Sequence, residues 1–414
     1  MRSGFSIVPL RRIARVQNGG TPGPHESNWE GDVPWATPVD LGRVHGGYLQ
    51  ATERSITATG LQSGSTLAPA GSVLISSRAP IGYAAIAGMD TAFNQGCKAL
   101  IPLPGVSQPR FLKYAVESQM STLQAAGRGS TFTEVSASDV ASLPVPVTSL
   151  AKQDRIADYL DRETAEIDAF IADCSSMVSI LEEQESAFAA SLLTHGLNSS
   201  VSVTKNHGML WLEGESIPSH WTRMKLGFLV RMKSGDAISS EDIEAEGSYP
   251  VFGGGGFRGY TSTWNITGAH VLIGRQGALC GKVFISEGDA FATEHAIVTY
   301  PKIDLDLRWL EGLLRFMNLG QYSQSAAQPG IGVESISKLY VPVPPISEQI
   351  KIGDSLRRHQ EKKSALLLEL KSAIILAHER RSALISAAVT GQIEVSAQGV
   401  SAADHLRDEL EVHV

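Results

Sequence analysis

Glu294 and His295 stand side by side in "ATEHAIV" (Ala292–Val298), a carboxylate and an imidazole that could act as an acid/base couple. A polar turn, or a core histidine held by hydrogen bonds, outweighs that reading, because the matching earlier stretch is "AFNQGCK" (Ala92–Lys98), which has no such pair. "GALCGKV" (Gly277–Val283) resembles part of a phosphate loop. It lacks the first glycine at the right distance and the Ser/Thr after Lys282, and it sits between two strand-like runs instead of opening a helix. "GGGGFRGY" (Gly253–Tyr260) is not G-x-G-x-x-G followed by a helix, and it reads as a tight, exposed loop. Cys97, Cys174 and Cys280 are far apart, odd in number and without C-x-x-C spacing, which argues against a zinc site or a disulfide framework. No N/D-P-P-Y/F, G-x-S-x-G, H-E-x-x-H or EF-hand pattern occurs.

The 414 residues suffice for two or three domains. The start, "MRSGFSIVPLRR", has no apolar run long enough for a signal peptide, and no stretch approaches the ~20 apolar residues of a membrane span. The expected location is the cytoplasm. The net charge is −8, unevenly spread. Residues 151–200 hold 10 acidic against 3 basic residues, while residues 1–150 hold 9 against 11. The acidity is concentrated in one segment, so a DNA-facing surface elsewhere stays open.

The chain repeats itself. Offset by 216 residues, "FSIVPLRRIARVQNG" (Phe5–Gly19) lies over "WTRMKLGFLVRMKSG" (Trp221–Gly235). Offset by 198, "VLISSRAPIG" (Val73–Gly82) meets "VLIGRQGALC" (Val271–Cys280), and Pro144/Pro146 meet Pro342/Pro344. Offset by 196, Gln153 meets Gln349 and a helical pattern follows. The unit is too long for a solenoid; it is a mixed domain followed by a long helix, written twice. The first junction, "VTSLAKQ", reads as a longer link than "PISEQ", and Ser347 is placed to cap the second helix. The mixed domains read as short strands ("GSVLISSR", "YAAIAG", "HVLIGR", "KVFIS", "AIVTYP") interrupted by helical patches at 110–124 and 307–319. That makes the fold class α+β.

The helices show a 4/3 spacing sustained over more than four heptads. The first seam is Leu160, Thr164, Ile167, Ile171, Cys174, Val178, Leu181, Glu185, Phe188 and Leu192. The second is Leu356, Gln360, Lys363, Leu367, Leu370, Ile374, Ala377, Arg381, Leu384 and Ala388, each the first plus 196. Such helices are expected to form an antiparallel coiled coil that relates the two mixed domains by a pseudo-two-fold axis. If partners sum to 548, Glu185 faces Lys363.

The repeated junction, "VLIGRQGALCGKVFI", "ATEHAIV" and "GGGGFRGY" together resemble the specificity subunit of type I restriction–modification enzymes, from about Phe5 to Ile393. The resemblance implies target-recognition domains at 1–150 and 201–345, spacer helices at 151–200 and 346–395, and a tail at 396–414. It implies a non-catalytic subunit that directs methyltransferase and restriction subunits to a bipartite, asymmetric double-stranded DNA target. Partners would be methyltransferase subunits, two in number, and restriction subunits through the complex. No membrane is implied. S-adenosylmethionine, ATP and Mg belong to those partners, with no cofactor in this chain.

Base readers are then sought among loop-borne Arg, Lys, Asn, Gln and aromatic residues. The first domain offers Thr21, Asn28, Trp35, Arg78, Tyr83, Asn94, Gln95, Lys98 and Arg128. The second offers Lys233, Phe257, Arg258, Tyr260, Arg275, Gln276, Lys282 and His295. Arg78 and Arg275, at matched places after equivalent strands, read as phosphate clamps. Two other readings are a coiled-coil adaptor that binds only proteins, and a stand-alone enzyme centred on Glu294/His295.

Overall fold

The computed structural model describes residues 4–395 apart from 45, 79, 128–133, 198–201, 206–208, 213–215 and 324–329. The chain divides into two compact units. The first joins the residues up to Cys174 with those from Ser372 onward, and the second is Ser175–Lys371. Each unit therefore takes one mixed domain and part of each long helix, Leu150–His195 and Ile346–Val389.

In the first unit a five-stranded sheet runs in the order Ala14–Asn18, Cys97–Pro102, Val73–Ser76, Ala84–Ala87, Tyr48–Leu49. A second sheet is centred on Trp29–Ala36, and Ser6–Pro9 pairs with Pro144–Val147. The second unit repeats the plan with a four-stranded sheet: Val230–Ser234, Ala296–Pro301, His270–Gly274, Val283–Ser286. Its second sheet is centred on Tyr249–Gly253, and Thr222–Lys225 pairs with Tyr340–Val343. The apolar runs named from sequence are these central strands. Val73, Leu74, Ile75, Val271, Leu272 and Ile273 are fully buried because both sheet faces are covered. The proline-bearing stretches before the long helices are themselves strands, Pro144–Val147 and Tyr340–Val343. Each pairs with one partner in a two-stranded ladder, where a missing proline N–H on the open side costs nothing.

The two copies repeat individual hydrogen bonds. Leu10 N–H donates to Leu143 O (2.9 Å), as Leu226 N–H does to Leu339 O (2.8 Å). Leu103 N–H donates to Ile13 O (2.9 Å), as Lys302 N–H does to Leu229 O (2.8 Å). A Cβ on Gly19 or on Gly235 would run into the backbone carbonyl of Asn94 or of Ala292, so both copies need glycine there.

The joint between mixed domain and helix is built twice around a buried glutamine. Gln153 accepts from Gln108 N–H (2.9 Å) and donates to Val106 O (2.9 Å) and Thr148 O (2.8 Å). Gln349 accepts from Asp306 N–H (3.1 Å) and donates to Pro344 O (2.9 Å). Just beyond, Arg110 pairs with Asp158 (2.7 Å), and Arg308 pairs with Asp354 (2.5 Å). The two links have the same length, contrary to the sequence reading. Ser149 O accepts from the amides of Lys152 and Gln153, as Pro345 O accepts from those of Glu348 and Gln349. Ser347 lies inside the first helical turn, so it is not the cap.

All twenty seam positions are buried or half-buried. In the second unit Lys363 Nζ donates to Glu185, and Phe188 stacks on His359 with centroids 4.2 Å apart. Rising numbers on one helix meet falling numbers on the other, which makes the pair antiparallel. In the first unit Arg381 bonds Asp168 (2.9 Å) and Glu117 (3.4 Å). Burial of the Arg381 guanidinium is outweighed by these carboxylates, and its pKa rises. Among the described residues no helix is long and apolar enough to cross a membrane.

Candidate nucleic-acid interface

The candidates divide by position. Asn28, Trp35 and Lys98 are buried and hold loops from inside. Asn28 Nδ2 donates to Gly23 O (3.1 Å), and Trp35 Nε1 to Gly20 O (3.1 Å). Lys98 Nζ reaches Glu134 (3.4 Å), the carboxylate that Arg78 Nε also meets at 2.9 Å. One carboxylate between two cations leaves net positive charge, carried outward by Arg78, whose side chain is 43% exposed. Thr21 and Gln95 are exposed and bonded to each other through Oγ1 and Oε1. Asn94 caps its own turn by accepting from Gly96 N–H (2.9 Å). Tyr83 is half-buried against Gly42. Arg128 lies outside the described residues.

In the second unit Phe257, Arg258 and Tyr260 belong to the strand Gly256–Thr261, not to a loop; the glycines make only the hairpin turn before it. Phe257 is 56% exposed, and its ring meets Tyr260 edge-on at 5.1 Å. Arg258 is exposed beside it. Lys233 is exposed on Val230–Ser234, and Lys282 is exposed in the turn before Val283. Arg275 Nη1 donates to Ser234 Oγ (3.1 Å). His295 contacts Gln276 Oε1 through Nδ1 (3.0 Å) and Glu294 through Nε2 (3.3 Å). This cluster binds a turn together, with the Glu294 and His295 side chains 41% and 44% exposed. Among the described residues no group of three or more His, Cys, Asp or Glu is arranged to hold a metal. Burial, helped by Asp40, pushes the Cys97 thiol up to about 12, so it is inert.

Pairing corrects the match of Arg78 with Arg275. Arg78 bridges Glu134 and Gln276 bridges Gly330. Val135 N–H donates to Ser77 O and Ile331 N–H to Arg275 O, both at 2.9 Å. Gln276 is thus the counterpart of Arg78, and Arg275 stands where the first copy has Ser77. Likewise, Asn94 N–H donates to Ala36 O and Thr293 N–H to Phe252 O, each at 2.9 Å. Gln95 then matches Glu294, and Gly96 matches His295. Equivalent backbone carries unlike side chains.

Sequence reasoning missed Arg54, exposed and stacked 3.8 Å over the Trp29 ring. It also missed Trp264, 50% exposed beside Tyr249. An arginine in "ATERSI" carries no local signal; only the strand pairing of Arg54 with Trp35 brings it to the tryptophans.

The model of the type I restriction modification DNA specificity domain matches residues 2–171 and 218–374, the two repeats. The chain is 29% identical over 362 residues to the EcoprrI type I restriction enzyme specificity subunit of Escherichia coli, covering 84% of this chain and 85% of that one. It is 29% identical over 247 residues to the MjaIX specificity subunit of Methanocaldococcus jannaschii, covering 58% and 55%. Its fold superposes with a TM-score of 0.70 at 16% identity on a chain solved in work on assembly and conformational transition of the type I restriction–modification system, covering 95% and 99%. The chain belongs to the type I restriction–modification DNA specificity family, as a specificity subunit.

Proposed function

We propose that each unit reads one part of a bipartite, asymmetric double-stranded DNA target, and that methyltransferase and restriction subunits act where the chain directs them. The observation that carries this is one scaffold with two sets of tips: Arg78 against Gln276, Gln95 against Glu294, Gly96 against His295. A shared scaffold keeps the approach to the duplex the same, and unlike tips select different bases. Arg258, Gln276, Lys282 and His295 are the readers and positioners in the second unit. Thr21, Arg78 and Gln95, with Arg54 added, serve in the first. Arginine and lysine suit guanine or phosphate, and glutamine suits adenine.

The long helices set the gap between the two reads. At ~1.5 Å per residue, one added helical turn lengthens the spacer by ~5.4 Å. The acidic first helix is a poor ligand for DNA and a better one for protein. Phe170, Met177 and Ile180 on it are each close to half exposed, an apolar strip suited to a methyltransferase subunit. S-adenosylmethionine, ATP and Mg act in the partners. The test is methylation mapping in cells that express the chain with its methyltransferase subunit. Arg258→Ala should change one half of the target and leave the other, and equal loss at both halves sinks the assignment.

A further inference from the structure

The two units differ at one sheet edge. In the first, Ala84–Ala87 is followed in the sheet by Tyr48–Leu49, which pairs with it in parallel. Gly46 N–H donates to Ala84 O (2.8 Å), Ile86 N–H to Gly47 O (2.9 Å) and Gly88 N–H to Leu49 O (3.0 Å). Lys113 Nζ closes over this segment, donating to Gly46 O at 2.6 Å, and Arg381 lies against Gly46. Among the described residues, Val283–Ser286 is the last strand of the second unit's sheet. Val73 faces Ile86 and Val271 faces Ile285, so Val283, Ile285 and Glu287 stand where Ala84, Ile86 and Gly88 receive the added strand. The Val283 carbonyl is met instead by Arg315 Nη2 at 3.4 Å.

A cleft of about 1320 Å³ opens in this place, bounded by Ile285, Glu287, the helix Leu307–Phe316 and the helix pair. Its charges are reversed relative to the filled site. Offsets of 198 and 196 put Glu311 where the first unit has Lys113, and Glu185 where it has Arg381. Six carboxylates and three guanidiniums line it, a net of −3 (6 − 3). Glu311 is ion-paired with Arg315, and burial raises its pKa against that pull.

We propose that this cleft is a strand-acceptor groove. It takes an extended, Lys- or Arg-bearing segment of a second protein, which adds to Val283–Ser286 as Tyr48–Leu49 adds to Ala84–Ala87. The first unit supplies the template: two small residues where the backbone passes the helices, then an apolar side chain, Leu49, driven into the core. Charge selects the occupant. Residues 396–414 of this chain carry four carboxylates and one arginine and are repelled, and nucleic acid is repelled more strongly. Occupation of this groove does not depend on DNA being read.

The test uses the full chain and a peptide of the Arg43–Ala51 sequence carrying His45→Lys and Gln50→Lys. Hydrogen exchange should show the Ile285 and Glu287 amides protected by the peptide. Glu287→Lys, at an exposed position, should weaken peptide binding about tenfold. Ile285→Pro, which removes an outward-facing donor, should abolish the protection. No protection of these amides at ~1 mM peptide, the weak limit for a short segment, overturns the proposal. So does equal binding by the same peptide with glutamates in place of the two introduced lysines, or by the Ile285→Pro chain.

Discussion

Gln153 has zero exposure, and its side chain satisfies three backbone groups of the first domain–helix joint: Gln108 N–H, Val106 O and Thr148 O. Gln153→Ala strands all three where water does not reach. A net hydrogen bond contributes about 1 kcal/mol, and a buried group left unpaired costs about 1–3 kcal/mol. Allowing for relaxation, the loss should be about 3–5 kcal/mol. Gln349→Ala removes two such bonds, one of them longer at 3.1 Å, and should cost about 2–3 kcal/mol. The chain has two compact units, so a single melting curve mixes them. Hydrogen exchange read separately on the helices Pro109–Glu117 and Leu307–Phe316 resolves each. A loss below about 1 kcal/mol for Gln153→Ala, or a larger effect on Leu307–Phe316 than on Pro109–Glu117, would refute the reasoning.

Further expectations concern the second unit. Trp309 is fully buried with its indole N–H unpartnered among the described residues, and its counterpart is Phe111; Trp309→Phe should cost under about 1.5 kcal/mol and Trp309→Ala about 3–5 kcal/mol, read by chemical denaturation. Lys363 and Glu185 have side chains 12% and 30% exposed, so Lys363→Ala should cost about 1–2 kcal/mol, with a coupling of roughly 1 kcal/mol in the double-mutant cycle with Glu185→Ala; zero coupling contradicts it. Glu311 has its pKa raised above 4.5 by burial, so the folded state holds its proton more tightly than the unfolded chain. That contribution is fully present below about pH 4.5 and is lost as pH rises through the folded value. Glu311→Gln should flatten the fall in Tm across that window; parallel curves would contradict it.

Much of the fold was legible because duplication writes each signal twice. Offsets of 216, 198 and 196 located the strands, the buried glutamines and the seam, down to the partnership of Glu185 with Lys363. Short continuous apolar runs sufficed for Val73–Ser76 and His270–Gly274, since their burial is set by local composition. The site was less legible. Trp35 and Lys98 are chemically fit to touch DNA, yet strand pairing turns them inward, where the indole N–H meets Gly20 O and the ammonium meets Glu134. Phe257 and Arg258 follow four glycines, and only pairing with Tyr249–Gly253 reveals a strand. Matching Arg78 with Arg275 set two like side chains together against the offset of 198, which already puts Arg78 over Gln276; the backbone hydrogen bonds restore that register. Strand Tyr48–Leu49 went unseen because two residues carry no periodicity.

The central claim is that the two units read unlike half-sites of one target. Methylome sequencing of a host expressing this chain with its methyltransferase subunit tests it most directly, run in parallel with Gln276→Arg and Arg258→Ala. The account predicts an asymmetric motif of two short defined parts around a fixed unread gap, with both substitutions altering the same single part. A continuous or symmetric motif, or substitutions that change both parts together, would contradict it.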